Sequence, residues 1–395
     1  MPHSTASNSA PGNGSIRKKN VKRNGKDYSY WEARYTAGFD PCTGKQIQRS
    51  ISGKTKKEVA QKLRQVLHEL ETGAYIEPNK LTVGEWLDTW SSDFLVAPKR
   101  STMFVYCNDI KLYLKPGLGS HRLSELSTIH IQRFYNYLLT ERGLSPKTVH
   151  DVHGVLHQAL QQAVSNKLLA SNPSDACRLP KCRHREIHPF DVDEMNEFFA
   201  QIKDHPHELL YKISMFTGMR EGEVLGLRWD NVDLERGIIT VRQQLWKNRE
   251  AGGEYCFTTP KNGKTRIVAI APSVAELFRQ QRKKQDGMKR EAGPAWNNKY
   301  NLVFTNALGD VLSYRTVYDC FKRIVKKMGR PDMTFHDLRH TYATISIANG
   351  DDIKTVQENL GHATAAFTLD FYGHVTDSMR KHSTERMESF IQGLN

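Results

Sequence analysis

The segment 335–372 constrains the fold of this chain more strongly than any other. Thr334 has the chemistry of a helix N-cap and is followed three residues later by the carboxylate of Asp337, so the segment predicts a helix that starts here and ends at Gly350. A second, short helix over 353–360 ends at a glycine, the residue that most often terminates helices. The segment must therefore fold as two helices in close succession.

One face of the first helix carries the chemistry, because His336, Arg339 and His340 are spaced three and four residues apart. His362 and Tyr372 follow the second helix. A guanidinium matches two phosphate oxygens, an imidazole moves protons, and a deprotonated tyrosine oxygen is a nucleophile. The set predicts a site that holds and attacks a phosphodiester, although each residue alone fits a surface helix with a core tyrosine. The other side of the helix carries the residues expected in a core: Leu338, Tyr342 and Ile345.

The formal net charge of +14 predicts a polyanionic partner. Nucleic acid is the usual one, and we expect double-stranded DNA. An anionic membrane surface is the alternative, but no basic helix with a strong apolar face stands out. No apolar run reaches the ~18 residues of a membrane span, and the first residues lack the apolar region of a signal peptide. We therefore expect no membrane partner and a cytoplasmic, nucleoid-associated protein of a bacterium.

The cysteines and histidines do not predict a metal site. The six cysteines are scattered, which fits free thiols in a reducing compartment. Cys177, Cys182 and His184 resemble half of a zinc site, but no second pair with suitable spacing follows. A helical stripe of histidines also has ligand chemistry, although a polar helix face explains it: His150, His153 and His157. We expect no metal and no other cofactor.

The chain is predicted to be multidomain. Residues 1–15 are a disordered tail, and 16–75 form a small β-sheet with one helix. Residues 81–176 form an all-α four-helix domain, and 188–395 form a mixed but mainly α domain. Linkers rich in turn residues separate these parts.

Basic residues of the first two domains are candidates for DNA contact. Residues 16–26 are predicted to be a basic arm, followed by strands over 28–35 and 45–51, with Trp31 and Tyr35 packed on the helix. Solvated charges are the alternative for each basic residue, and the strand faces stay open. The candidates are Arg17, Lys18, Lys19, Arg34, Arg49, Lys99, Arg100 and Lys147.

The third domain, residues 188–395, supplies further parts of a phosphate site. Gly218 allows a tight turn into a helix that starts at Arg220, where free backbone N–H groups favour a phosphate, and Glu223 lies one turn later. The segments 255–259 and 265–270 are predicted to form one hairpin around an Asn-Gly turn. Lys261 would then lie at the hairpin tip.

With these pieces in order, the chain resembles the tyrosine recombinases, the phage-integrase family, and most closely the integrases of conjugative transposons and temperate phages. The resemblance is strong from about residue 188. The helical domain looks like the core-site-binding domain of that family, and the N-terminal sheet and helix look like an arm-binding domain. The matching residues are Arg220 in TGMREGEVLGLRW, Lys261 in TPKNGKTRIVAI, His336 and Arg339 in HDLRH, His362 in LGHA, and Tyr372 in TLDFYGHV.

The resemblance implies a role for each of these residues. Arg220 and Arg339 clamp the scissile phosphate, and Tyr372 attacks it to form a 3′-phosphotyrosyl link. Lys261 protonates the leaving 5′-oxygen. In the same way, His336 helps to move the tyrosine proton, His362 donates to the phosphate, and Glu223 supports His336. Lys261 is preferred over Lys264 by local alignment only.

The resemblance also implies the reaction and its partners. The chain would integrate and excise a mobile element as a homotetramer on two duplexes, through a Holliday junction at core sites, with arm sites bound separately. An excisionase or a DNA-bending protein would assist. A C-terminal helix at about 380–395 would dock on a neighbouring protomer, or else fold back on its own domain, through one apolar stripe: Met387, Phe390, Ile391 and Leu394.

Three other functions remain open at this point. A DNA-binding repressor without chemistry would share the basic charge. A type IB topoisomerase would share the tyrosine nucleophile but relax a single duplex. A transposase that uses three carboxylates and a metal ion cannot be separated by spacing, because acidic residues are common in the chain.

Overall fold

The computed structural model describes residues 14–23, 26–39, 43–72, 80–95, 99–182, 188–248, 253–361, 384–385 and 387–394. The predictions made for residues 1–13, for His362 and for Tyr372 therefore lie outside the described residues. The chain divides into two compact units, Met1–Arg183 and His184–Asn395.

The first unit begins with a three-stranded antiparallel sheet in the order β1-β2-β3, on which one helix packs. The elements are β1 (Ser15–Arg23), β2 (Lys26–Phe39), β3 (Gln46–Gly53) and α1 (Lys56–Glu71). The basic arm predicted over 16–26 is therefore wrong in form, since most of it is an edge strand paired with β2. The many charged residues of β1 obscured the alternation of inward and outward side chains that places Ile16 against the core.

Strand alternation divides the side chains of this sheet between two faces. Ala33 and Tyr35 face α1 and form a small core with Val59 and Leu63, and Trp31 packs partly against it, as expected. Glu32 faces the other way. Each β1 residue lies on the same face of the sheet as the β2 residue directly opposite it. The face opposite α1 is called the open face below.

The rest of the first unit is a helical bundle. Its core is continuous and contains Trp86, whose indole N–H donates to the Ala159 carbonyl (2.8 Å). The helices are α2 (Val83–Thr89), α3 (Arg100–Asp109), α4 (Lys115–Leu118), α5 (Thr128–Thr140) and α6 (Pro146–Ser165). Short π-helical segments continue α2 and α3, at Trp90–Phe94 and Ile110–Leu114.

The three histidines of α6 have separate partners. His150 bonds the Pro180 carbonyl (2.8 Å), and His157 bonds the Asp175 carboxylate (3.0 Å). His153 bonds the hydroxyl of the buried Tyr135 (2.9 Å). These histidines therefore fasten α6 to its surroundings.

The second unit is mainly helical and carries two small sheets, one with the order β4-β5-β8 and one with β6-β7. Its helices surround one apolar core, and α12 packs on α8 and α13. The elements are α7 (Val192–Gln201), α8 (Glu208–Thr217), α9 (Glu221–Leu225), β4 (Val232–Asp233), β5 (Ile238–Val241), β6 (Gln244–Asn248), β7 (Glu254–Thr258), β8 (Arg266–Ala269), α10 (Pro272–Ala292), α11 (Tyr314–Lys327), α12 (Phe335–Ala348) and α13 (Ile353–Leu360).

The hairpin predicted over 255–270 is wrong in its strand pairing. β7 pairs with β6, and β8 pairs with β5, so the two strands belong to different sheets. The turn between them does form, since the Gly263 N–H donates to the Pro260 carbonyl (2.8 Å) and Gly263 has a φ of 69°. An Asn-Gly sequence fixes a local turn, but long-range packing decides which strands pair.

Candidate active site

The turn between α8 and α9 places Arg220 at the start of a helix. Gly218 ends α8 with a φ of 61°. A Cβ at Gly218 would lie 2.5 Å from the Tyr342 ring and 2.8 Å from the Leu360 side chain, so the position needs glycine for its conformation and for its space. This close approach brings the α8–α9 turn against α12 and α13.

Arg220 and Glu223 interact through both backbone and side chain. The Arg220 backbone N–H donates to Glu223 Oε2 (2.9 Å), and Arg220 Nη1 donates to Oε1 (2.9 Å). The Glu223 side chain is 0% exposed. The sequence places both residues in one helical turn, and the structure brings them into direct contact.

Arg266, on β8, is a site residue that sequence analysis missed. Its Nη1 and Nη2 donate to the two oxygens of Glu223 at 2.9 and 2.6 Å, and its Nε donates to the Asn359 carbonyl (2.8 Å). The only sequence signal was a basic residue in the same motif as Lys261.

Glu223 is a buried carboxylate that stays ionised. Burial alone would raise its pKa, but the Arg266 guanidinium, helped by Arg220, lowers the pKa of the carboxyl to about 2. A carboxylate paired in this way is ionised at neutral pH, where the protein binds DNA.

Arg339 reaches the same region from α12. Its Nη1 donates to the Gly218 carbonyl (2.8 Å) and its Nη2 to the Leu360 carbonyl (2.6 Å), and the residue is buried. The predicted cap of this helix forms, since the Asp337 carboxylate accepts from the Thr334 N–H (2.6 Å) and hydroxyl (2.9 Å).

The C-terminal end of α13 is where these side chains meet. The carbonyls of Asn359, Leu360 and Gly361 accept from Arg266, Arg339 and Arg220 in turn, the last at 3.2 Å. Gly361 ends the helix with a φ of 63°. The last carbonyls of a helix carry partial negative charge, so this is a favourable position for guanidinium groups.

The turn that carries Lys261 is attached to the same helix end. The Asn262 side-chain amide donates to the Gly361 carbonyl (2.8 Å), which also accepts from Arg220. Lys261 is exposed beside Asn262. The structure therefore brings the Lys261 turn to the region of Arg220 and Arg339.

His336 lies on α12 near the same arginines. It keeps an exposed edge, but desolvation by densely packed surroundings, with His340, Arg339 and Arg220, lowers the pKa of its imidazole to about 4. Its ring meets the ring of His340 edge-on at 4.9 Å between centroids. A neutral imidazole at pH 7 is able to accept a proton.

Glu221, next to Arg220 in the chain, is half-buried, and its carboxyl has one buried oxygen. Its Oε1 is enclosed by protein and accepts no hydrogen bond. Burial raises the pKa of this carboxyl to about 7. Sequence analysis gave no indication of it, because Glu221 is the kind of acidic residue usually found in the first turn of a helix.

Three of the five candidate residues on the N-terminal sheet converge on Glu32. Arg17 donates to its carboxylate (2.7 Å), Lys19 donates to it (3.3 Å), and Arg34 is an ion-pair partner at 3.7 Å, all on the open face. Lys18 and Arg49 do not join them: they oppose Trp31 and Tyr35, on the face that carries α1. A common DNA-facing surface for all five is therefore not present.

The candidates in the helical bundle lie at helix starts. Lys99 and Arg100 are exposed at the beginning of α3, and Lys147 is exposed in the first turn of α6, where it pairs with Asp151. Exposed cations at helix starts are also common on ordinary protein surfaces.

The described ranges contain neither a metal cluster nor a membrane span. There, no three His, Cys, Asp or Glu side chains come together as a metal site. Across the same part of the chain, no helix has both the length and the apolar character needed to cross a membrane.

One family model matches most of the second unit, and another matches part of the first. The model of the phage integrase family matches residues 186–379, and the model of the phage integrase N-terminal SAM-like domain matches residues 82–139. A tyrosine recombinase XerC-like protein of Caldanaerobacter subterraneus is 30% identical over 95% of this chain and 99% of its own length. The ICEBs1 integrase of Bacillus subtilis is 26% identical over 90% of this chain and 95% of its own length.

Solved structures share the fold. The integrase of the transposon Tn1549, in complex with a circular-intermediate DNA, has a TM-score of 0.67 and 23% identity over 78% of this chain and 99% of that one. A lambda integrase tetramer bound to a Holliday junction has a TM-score of 0.57 and 21% identity over 88% of this chain and 96% of that one.

A mainly helical unit that matches the phage integrase family, has three arginines at one helix end and follows a helical bundle is typical of a recombinase of the tyrosine class. The chain belongs to the phage integrase family. It is a site-specific DNA recombinase of the integrase type, and the predicted family, fold class and enzyme class are confirmed.

Proposed function

We propose that the chain integrates and excises a mobile element by cutting DNA at a core site with Tyr372 and rejoining it to a partner strand. The observation that carries this proposal is the convergence of Arg220 and Arg339 on neighbouring carbonyls at the end of α13. Two guanidinium groups from separate elements at one point form a phosphate clamp.

The clamp acts on the charge that develops during cleavage. Arg220 and Arg339 hold the non-bridging oxygens of the scissile phosphate, and His362 donates to the same group. Groups that are held in place before the reaction lower the barrier, because they need no reorganisation when the charge appears. The bonds of both arginines to main-chain carbonyls support this preorganisation.

The proton movements balance in the following way. His336, neutral at pH 7, accepts the phenol proton of Tyr372, and the phenolate oxygen bonds to phosphorus as a 3′-phosphotyrosyl ester. The bond from phosphorus to the 5′-oxygen breaks, and Lys261 gives that oxygen a proton. A 5′-hydroxyl of the partner strand then attacks the ester and releases the tyrosine. The Glu223 carboxylate supports Arg220 throughout, in place of the support for His336 that the resemblance implied, because it bonds Arg220 and Arg266.

Covalent capture tests the proposal. Duplexes that the protein selects from a random pool would define the core site, and a nick near the cut would let the short cleaved strand diffuse away. The wild type should form a covalent protein–DNA complex in EDTA, and Tyr372→Phe should form none while binding the same duplex. A complex that needs a metal ion, or that survives in Tyr372→Phe, would contradict the proposed nucleophile.

A leaving-group experiment assigns the proton donor. Lys261→Ala should slow cleavage of the normal substrate by roughly 10²–10⁴-fold, the usual contribution of a general acid. It should cleave a substrate with a 5′-bridging sulfur at nearly the wild-type rate, since a thiolate leaves without a proton. Lys264→Ala is the matched control. If the sulfur substrate restored cleavage by Lys264→Ala rather than by Lys261→Ala, Lys264 would be the proton donor.

Assembly is the second part of the proposal. A homotetramer would bind two duplexes at core sites, the N-terminal sheet would bind arm sites through its open face, and an excisionase or DNA-bending protein would assist. Residues 387–392 are helical, and the apolar stripe on this segment is exposed at Met387, Phe390, Ile391 and Leu394. Docking of this stripe on a neighbour predicts that removal of 385–395 weakens assembly on a synthetic junction more than binding to one core site. Equal effects would contradict it.

A further inference from the structure

The Arg266 side chain bonds the protein through all three of its nitrogens, next to a group that the reaction uses. We propose that Arg266 is a positioning residue for strand cleavage: it holds Glu223 on one side and the Asn359 carbonyl on the other, and thereby fixes the Arg220 guanidinium for the scissile phosphate. The inference rests on the proposed function of Arg220.

The contacts of Arg266 favour a positioning role over direct phosphate binding. Each of its three nitrogens has a protein partner, two on the Glu223 carboxylate and one on Asn359, and its side chain is only 10% exposed. Arg220, in contrast, uses one terminal nitrogen for Glu223 and the other for a carbonyl at 3.2 Å, the longest bond of the group. The two arginines therefore have different roles. Arg266 holds the Glu223 carboxylate, and Arg220 is the one that contacts the DNA phosphate.

Charge gives the physical reason for this division. Arg220 and Arg266 together carry two positive charges against the single negative charge of Glu223, so the buried cluster retains one positive charge. A scissile phosphate would neutralise that charge. Without Arg266, Glu223 and Arg220 would form a neutral pair, and the carboxylate would draw the Arg220 guanidinium toward itself.

Arg266 also connects the elements that deliver the other groups. It is the first residue of β8, directly after the turn that carries Lys261, and it bonds the end of α13, which leads into the segment with His362 and Tyr372. One side chain thus ties β8 to α9 and α13.

The test compares two arginine variants with the same change in net charge. Arg266→Gln removes the bonds to Glu223. Arg279→Gln, the matched control, removes an exposed pair with Glu276 on α10. Single-turnover formation of the covalent complex is measured at saturating protein from about pH 5.5 to 8.5, with affinity for the core-site duplex measured in parallel.

Arg266→Gln should cleave roughly 10–100-fold more slowly than the wild type, the usual effect of losing a group that orients a catalytic residue. Its cleavage rate should also fall at acidic pH, unlike that of the wild type. Once Arg266 is removed, burial raises the pKa of Glu223, so the carboxylate becomes protonated in this range. Glu223→Gln/Arg266→Gln should be slow but should lack the acidic fall, since its titrating group is gone. Arg279→Gln should match the wild type in both respects.

Folding is checked by thermal melting of each variant. If Arg266→Gln does not fold, Arg266→Lys carries the test: it keeps the charge but not the paired bonds, so it should be slow without an acidic fall in rate. A variant at Arg266 that behaves like Arg279→Gln would overturn the inference. A slow Arg266→Gln whose pH profile is unchanged would also overturn it, because the residue would then act only on stability. If the wild type forms no covalent complex at all, the proposed function fails, and the inference fails with it.

Discussion

Two carboxylates in this molecule are surrounded by arginines, and their settings differ. Glu223 is 0% exposed and bonds Arg220 and Arg266, which themselves bond main-chain carbonyls. Glu32 is also largely covered, at 8% exposed, but on the open face of a thin sheet, and its partner Arg17 is 49% exposed. The first cluster is enclosed by protein, whereas the second has solvent-exposed side chains on its outer side.

The difference indicates two roles: the Glu223 cluster positions catalytic side chains, and the Glu32 cluster attracts DNA. At Glu32, Arg17 and then Lys19 lower the pKa of the carboxyl, but these cations remain accessible to solvent and salt. Exposed ion pairs are screened and adaptable, so such a surface suits binding along a DNA backbone. The Glu223 cluster is shielded from salt and suits a reaction that needs fixed geometry.

The largest expected effect contrasts one arginine from each region. Arg339→Gln should slow single-turnover cleavage by about 10²–10³-fold, because it removes a preorganised donor. Arg34→Gln should leave the cleavage rate of the bound core-site complex unchanged. Since Arg339 is buried, Arg339→Lys is measured as well, and melting of both variants confirms folding. Equal rate losses at Arg339 and Arg34 would remove the distinction between the two regions.

A smaller effect is expected in the salt dependence of arm-site binding. Arg17→Gln should reduce the slope of log K against log salt concentration by about 1, the contribution of one phosphate contact. Arg266→Gln should leave that slope unchanged, because its guanidinium is occupied inside the catalytic unit. The measurement is a salt titration with a duplex selected by the wild-type chain. A slope that changes only in Arg266→Gln would reverse the assignment of binding and positioning.

The smallest effect concerns Glu221. Its pKa in the folded chain, about 7, is above its ordinary value of 4.5. The folded state therefore binds more protons than the unfolded state between these values, and stability falls as pH rises through this range. Glu221→Gln should be more stable than the wild type by about 1 kcal/mol at about pH 8 and should lose this advantage at about pH 5. Urea denaturation at both pH values measures it, with the exposed Glu276→Gln as control; a pH-independent difference would contradict the buried charge.

Local chemistry allowed much of the site to be predicted from the sequence. Thr334 and Asp337 form the helix cap that orients Arg339, and Gly218 forms the turn before Arg220. Each of these predictions depends on residues within one or two helical turns, where spacing determines contact. The turn at Lys261 was predictable for the same reason.

The parts that sequence analysis missed depend on long-range register. Arg266 meets Glu223 only because β8 pairs with β5 rather than with β7, and no local pattern contains that choice. The edge strand β1 was missed because its lysines and arginines dominate its composition, although Ile16 faces the core. The buried carboxyl oxygen of Glu221 likewise follows from packing across the unit.

The three acceptors at the end of α13 are main-chain carbonyls. Substitution of the Asn359 or Leu360 side chain leaves its carbonyl in place as long as the helix still ends at Gly361. Homologues could therefore diverge at Asn359, and at Leu360 within the limits of its buried packing, while the arginines that depend on these carbonyls stay invariant. A comparison of sequences alone would record the arginines as essential and pass over the helix end that holds them.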